Sequence, residues 1–140
     1  MNVTREEFEQ DIRKSYSALE PYGITIEKAP YFVPPYEHYN DTVSAWAAAM
    51  GLKLINFTPR STSNADYTTP QMKNYRSSQT IYENILSLEQ REGLNGHLLL
   101  FHIGTVEART DKFYRSHLKM LIRELKRRGY KINNLKKHTL

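Results

Sequence analysis

Helical and β-type segments take turns along these 140 residues, and that alternation restricts the fold more than any other feature. Residues 3–23, VTREEFEQDIRKSYSALEPYG, set Thr4 and Glu7 at capping-box spacing. Phe8, Ile12, Tyr16 and Leu19 then recur at helical intervals, and Pro21 and Gly23 close the helix. KAPYFV (28–33) reads as a short strand ended by Pro34 and Pro35. Asn40 or Asp41 caps a second helix, TVSAWAAAM (42–50), with Gly51 placed for its stop. LKLINF (52–57) reads as a buried strand. A third helix, QTIYENILSLEQRE (79–92), turns Ile81, Ile85 and Leu88 to one side. Gly93 and Gly96 flank the turn into HLLLFHI (97–103), an apolar run without alternation, as expected for a strand covered on both faces. Thr110 is placed to cap a fourth helix, 111–128, whose apolar stripe is Tyr114, Leu118, Leu121, Ile122 and Leu125. Gly129 ends it, and YKINNL (130–135) is the final strand. Strands alternating with helices predict parallel βαβ units, hence an α/β fold.

At this length one domain is expected, and no linker, internal repeat or low-complexity tract interrupts the chain. A hydrophobic fraction of 39% and a charged fraction of 25% are those of a globular chain. No cysteine is present, which excludes a disulfide framework, a thiol nucleophile and a thiolate zinc site. No run approaches the ~18 apolar residues of a membrane span, and the charged opening lacks a signal-peptide core. The net charge of +5 is concentrated in LKRRGYKINNLKKH (125–138). Those basic residues fall on the polar side of an amphipathic helix and lack the interleaved aromatics of a nucleic-acid platform, so no nucleic-acid partner is expected.

Parallel α/β folds carry their chemistry just beyond the carboxyl ends of the strands. Three segments qualify: PPYEH after the first strand, STSNADY in the loop of roughly 20 residues after the second, and HIG after the third. Each proline fixes φ and removes an amide donor, and Pro35 keeps Pro34 extended. A stiff strand exit of that kind can hold Tyr36 at the rim of a pocket. His102 ends an apolar strand and is a candidate general acid, and Asp66 is a candidate to orient or charge-stabilise it. The ordinary alternatives are a stiff turn, a satisfied core or rim histidine and a loop aspartate making a local turn.

A self-contained metal site is not expected. No two of the five histidines stand at i, i+4. His97 and His102 fall on opposite faces of one strand, about 16 Å apart along the chain. Phosphate-loop, dinucleotide and nucleophile-elbow motifs are likewise absent.

In order and spacing these strand ends resemble the polysaccharide deacetylases of the NodB-homology type, carbohydrate esterase family four. The third motif of that family, roughly Arg-Pro-Pro-Tyr-Gly, is matched by VPPYE (33–37). Its fourth, centred on Asp-Trp, is matched by Asp66-Tyr67, and its fifth, Leu-Leu-His-Asp or similar, by LLLFHIG with His102 in the histidine place. The opening and closing helices resemble those that follow the second motif and end the domain, so the likeness spans nearly the whole chain.

The resemblance implies the C-terminal portion of a distorted (β/α) barrel that removes N- or O-acetyl groups from a glycan. It implies His102 and Asp66 as catalytic residues and Tyr36, Pro35, Tyr67 and Glu37 as substrate-binding residues. Val33, Glu37 and Ile103 stand where the family has arginine, glycine and aspartate. Motifs one and two, which supply the catalytic base and the ligands of a divalent metal, usually zinc, have no counterpart. The expectation is therefore an incomplete domain, inactive alone and needing its N-terminal half or a second chain. The alternative is a non-catalytic carbohydrate-binding or scaffold module. The family's habits imply a periplasmic or extracellular glycan.

Overall fold

The computed structural model describes residues 3–133 and residue 135, and the chain forms two compact units, 1–56 and 57–140. The first unit opens with helix α1, Arg5–Leu19. Its capping box forms as the sequence predicts. Thr4 Oγ1 accepts from the Glu7 amide at 3.2 Å, and the Glu7 carboxylate accepts from the Thr4 amide at 2.8 Å. These are two of the amide donors that every helix start leaves open. A 3₁₀ turn, Glu20–Tyr22, ends on Gly23 at φ 73°.

Strand β1, Tyr31–Phe32, and strand β2, Lys53–Leu54, pair in parallel, with Tyr31 opposite Lys53 and Phe32 opposite Leu54. Helix α2, Asp41–Ala49, crosses between them, and Asn40 rather than Asp41 is its cap, accepting from the Val43 amide at 2.9 Å. This is the predicted βαβ unit, with strands shorter than expected. Phe8 and Ile12 of α1 meet Phe32, Ala47 and Leu52 in a small core. Phe8 lies edge-on to Phe32, ring centroids 5.4 Å apart.

The second unit is built on helix α3, Ser78–Glu92, with Ser77 as its cap. Ile81, Ile85 and Leu88 are fully buried, as their spacing predicts. Each such side chain contributes roughly 1.5–3 kcal/mol of burial. Leu94, Phe113, Leu121 and Leu125 complete that core.

Here the structure departs from the alternating order. Residues 97–103 form no strand, and Leu98 to Phe101 are half-buried rather than covered on both faces. Residues 130–133 form no strand either, and residue 134 of that expected strand lies outside the described residues. The fourth helix is two pieces, α4 (Phe113–Ser116) and α5 (Leu118–Arg127), and Thr110 is not its cap. The chain instead turns at Val106–Arg109, where the Arg109 amide bonds the Val106 carbonyl at 3.0 Å and the Arg109 side chain goes inward. That turn delays the helix to Phe113. Phe113 replaces Tyr114 in the core and stacks on Phe101 at 4.6 Å.

Overall the described chain is a mixed α/β structure with two parallel strands. No described helix is long and apolar enough to cross a membrane.

Candidate functional site

The loop from Phe57 to Ser77 lacks regular strands, so its backbone and that of 98–102 must find other hydrogen-bond partners. Side chains provide them. The amides of Leu98, Leu100 and His102 donate to Thr58 Oγ1 at 2.9 Å, Ser63 Oγ at 3.1 Å and Asp66 Oδ2 at 2.8 Å. Alternate amides along this run thus meet three side-chain oxygens where a strand would offer carbonyls. The Thr58 amide returns one backbone bond to the Leu98 carbonyl at 2.8 Å. Ser61 and Ser63 are fully buried, with their hydroxyls 3.0 Å apart. Arg60 reaches Glu92 of α3 with two bonds, 2.8 and 2.7 Å, and Asn84 of α3 donates to Thr62 Oγ1 at 3.1 Å.

At the end of this lattice a 3₁₀ turn, Ser63–Tyr67, presents Asp66. Its carboxylate is 1% exposed. Oδ1 lies 2.6 Å from His102 Nδ1, while Oδ2 holds the amide of the same histidine. An ionised carboxylate only accepts, so Nδ1 carries the proton and Nε2 is left as the atom that exchanges one. No described residue hydrogen-bonds Nε2, and the imidazole is 30% exposed. Tyr67 stands edge-on to the imidazole, centroids 5.5 Å apart. Asp66, Tyr67 and His102 therefore form one group: a buried acceptor, an oriented imidazole open to solvent, and an aromatic wall.

Pro35, Tyr36 and Glu37 lie in the first unit and form a second group. Pro34 is buried and extended, at φ −65° and ψ 140°, as a residue before proline should be. The next turn, Pro35–Glu37, puts Tyr36 at φ 54° and Glu37 at φ 59°, a left-handed pair that side chains rarely adopt. The Glu37 amide bonds the Pro34 carbonyl at 3.0 Å, and Asn56 Nδ2 holds the Glu37 carbonyl at 3.0 Å. Tyr36 is 81% exposed. The glycine of the resembled motif falls on Glu37, and the backbone there has the sign of φ that glycine favours.

Sequence reasoning missed Arg109, the largest fully buried side chain of the described residues. It also missed Thr58 and Ser63 as acceptors. The available signal was small hydroxyl residues in a loop opposite an apolar run with no strand to pair it.

The metal implied by the resemblance finds no ligand set here. Among the described residues no three histidine, aspartate or glutamate side chains gather closely enough to hold an ion. The residues present do not fit that group, and no step below passes through it. Compared with known proteins, the chain matches no family model, no curated protein and no solved structure.

Proposed function

We propose that this chain carries the proton-donor side of a glycan deacetylase, as the C-terminal portion of a deacetylase-type (β/α) barrel. One observation carries the reading. The Asp66 carboxylate holds His102 at both its amide and its Nδ1, leaving Nε2 free of described partners and the ring open to solvent. When water adds to an acetyl carbonyl, the tetrahedral intermediate collapses by breaking its bond to the sugar nitrogen or oxygen. His102, protonated at both nitrogens, gives its Nε2 proton to that departing atom. It returns to the neutral form with the proton on Nδ1. Asp66 stabilises the charged ring and fixes its orientation, as a buried carboxylate does behind a general acid–base histidine. Activation of the water belongs to groups outside those described. The resemblance supplies the substrate class and, with it, a periplasmic or extracellular site of action.

The test is acetate release from N- and O-acetylated oligosaccharides by the longest natural polypeptide that contains these residues. His102→Ala lowers kcat by about 10²–10⁴. Release at an unchanged rate would remove His102 from the chemistry.

The second reading, a carbohydrate-binding module without catalysis, is favoured by the exposed tyrosines. Tyr36, Tyr39 and Tyr67 each leave much of their surface to solvent, and flat aromatic faces with a polar tip suit sugars. On that reading no acetate appears. Tyr36→Ala or Tyr67→Ala then weakens oligosaccharide binding, and His102→Ala does not.

A further inference from the structure

Arg109 is 0% exposed, and a buried guanidinium needs partners for its donors. It has them in three separate stretches of chain. Nη1 donates to the carbonyls of Thr68 at 2.6 Å and Arg76 at 2.7 Å. Nε donates to the Asp111 carbonyl at 2.5 Å, and Nη2 to Ser78 Oγ at 3.2 Å. Its charge lies 3.8 Å from the Asp111 carboxylate and 5.2 Å from the centre of the Tyr75 ring. Asp111 in turn accepts from the Ser78 amide at 2.6 Å, which ties the node to the start of α3.

The two carbonyls that Arg109 Nη1 holds are the ends of the segment that leaves the Asp66–Tyr67 turn. Thr68 closes that turn, its amide and hydroxyl both donating to the Ala65 carbonyl, at 3.0 and 2.6 Å. The Arg76 amide then donates to Thr68 Oγ1 at 3.2 Å. The end of the 65–68 turn is thus clamped at the Thr68 carbonyl by a side chain that hydrogen-bonds neither Asp66 nor His102. A planar fork of fixed donors suits several carbonyls at once, and a lysine ammonium does not reproduce it.

We infer that Arg109 is a positioning residue for the Asp66–His102 pair: it holds the 65–68 turn so that the Asp66 carboxylate stays on His102 Nδ1. The inference rests on the proposed role of that pair, but its test does not use acetate release, so either can fail alone. The readout is the hydrogen-exchange rate of the His102 Nδ1 proton, followed by NMR in the full chain well below melting. Arg109→Lys, folded, speeds that exchange at least tenfold. Leu125→Val, which trims the core of the same unit and lowers the melting temperature, leaves it within about twofold. Unchanged exchange in Arg109→Lys, or equal acceleration in Leu125→Val, overturns the inference.

If Arg109→Lys does not fold, native-state exchange in the unmodified chain decides. The Arg109 Nε proton and the His102 amide open as one cooperative unit, at rates within tenfold of each other. Independent opening of the two overturns the inference.

Discussion

The two candidate loops are held in opposite ways. The turn at 34–38 is stiffened chiefly by covalent geometry, two prolines and a left-handed pair at Tyr36 and Glu37, with two backbone bonds closing it. The loop at 57–77 is held by buried side chains, with hydroxyls, a carboxylate and a guanidinium standing in for a missing strand. The first device exposes a side chain cheaply and tolerates change around it. The second places a titratable pair accurately but depends on every partner being satisfied. The difference teaches where substitutions should hurt, and the following variants either break or sharpen it.

The largest effect on stability is expected from Arg109→Ala. It removes the side-chain donor from the carbonyls of Thr68 and Arg76 and one of two donors from that of Asp111, and should destabilise the second unit by about 3–5 kcal/mol, the range for breaking a buried charged network. Urea unfolding followed by a probe in that unit checks it. A loss below about 1 kcal/mol would make the two loops equivalent.

Asp66→Asn comes next. The amide retains an oxygen for one of the two bonds from His102 but not the charge for both. A loss of about 1–3 kcal/mol is expected, with the tautomer of His102 released. Chemical denaturation beside histidine NMR measures both effects.

Acid should also weaken the unit that holds the second loop. At Asp111 partial burial opposes ionisation. Hydrogen bonds from Ser78 and the charges of Arg109 and His117 outweigh it, so its carboxyl is held below the ordinary value of 3.8. Glu124, bonded by Arg127 and Arg128, is lowered from 4.5 to about 2. A carboxylate with a depressed folded value contributes stability above the unfolded value and loses it as pH falls through the folded one. The second unit should therefore lose melting temperature from pH 4.5 downward, continuing to about 2. Asp111→Asn with Glu124→Gln flattens that slope. A slope unchanged by the pair would place acid sensitivity elsewhere.

The smallest effects belong to the proline turn. Glu37→Gly relieves one left-handed non-glycine residue, offset by the greater freedom of the unfolded chain, and should stabilise by about 1 kcal/mol or less. Tyr36→Ala should change stability by less than about 0.5 kcal/mol, because the ring touches little. Thermal melts of the two variants check both. A large loss in Tyr36→Ala would show that the turn is held by its side chain after all.

This contrast also explains what the sequence showed. Proline, glycine and capping residues act over three or four positions, so the turn at 34–38, the Thr4 cap, a cap at Asn40 or Asp41 and the stripe of Ile81, Ile85 and Leu88 could all be read locally. The Asp66–His102 pair was legible only through position: His102 ends an apolar β-type run and Asp66 lies in the long loop that follows another. The run at 97–103 looked like a strand because its composition is that of a strand, yet pairing is decided by what lies alongside it. What lies alongside is a loop whose hydroxyls and carboxylate are 36 to 40 residues away in sequence. Arg109 was invisible for the same reason. Its partners at 68 and 76 are 41 and 33 residues distant, and nothing local marks an arginine as buried.

The central claim is that Asp66 keeps the neutral His102 ring protonated on Nδ1, so that Nε2 handles the transferred proton. Ring ¹⁵N chemical shifts of His102 in the unmodified chain, taken above the pH at which histidine loses its charge, test it most directly. The account predicts a single Nδ1–H tautomer that becomes a mixture in Asp66→Asn. A predominantly Nε2–H ring in the unmodified chain would contradict it.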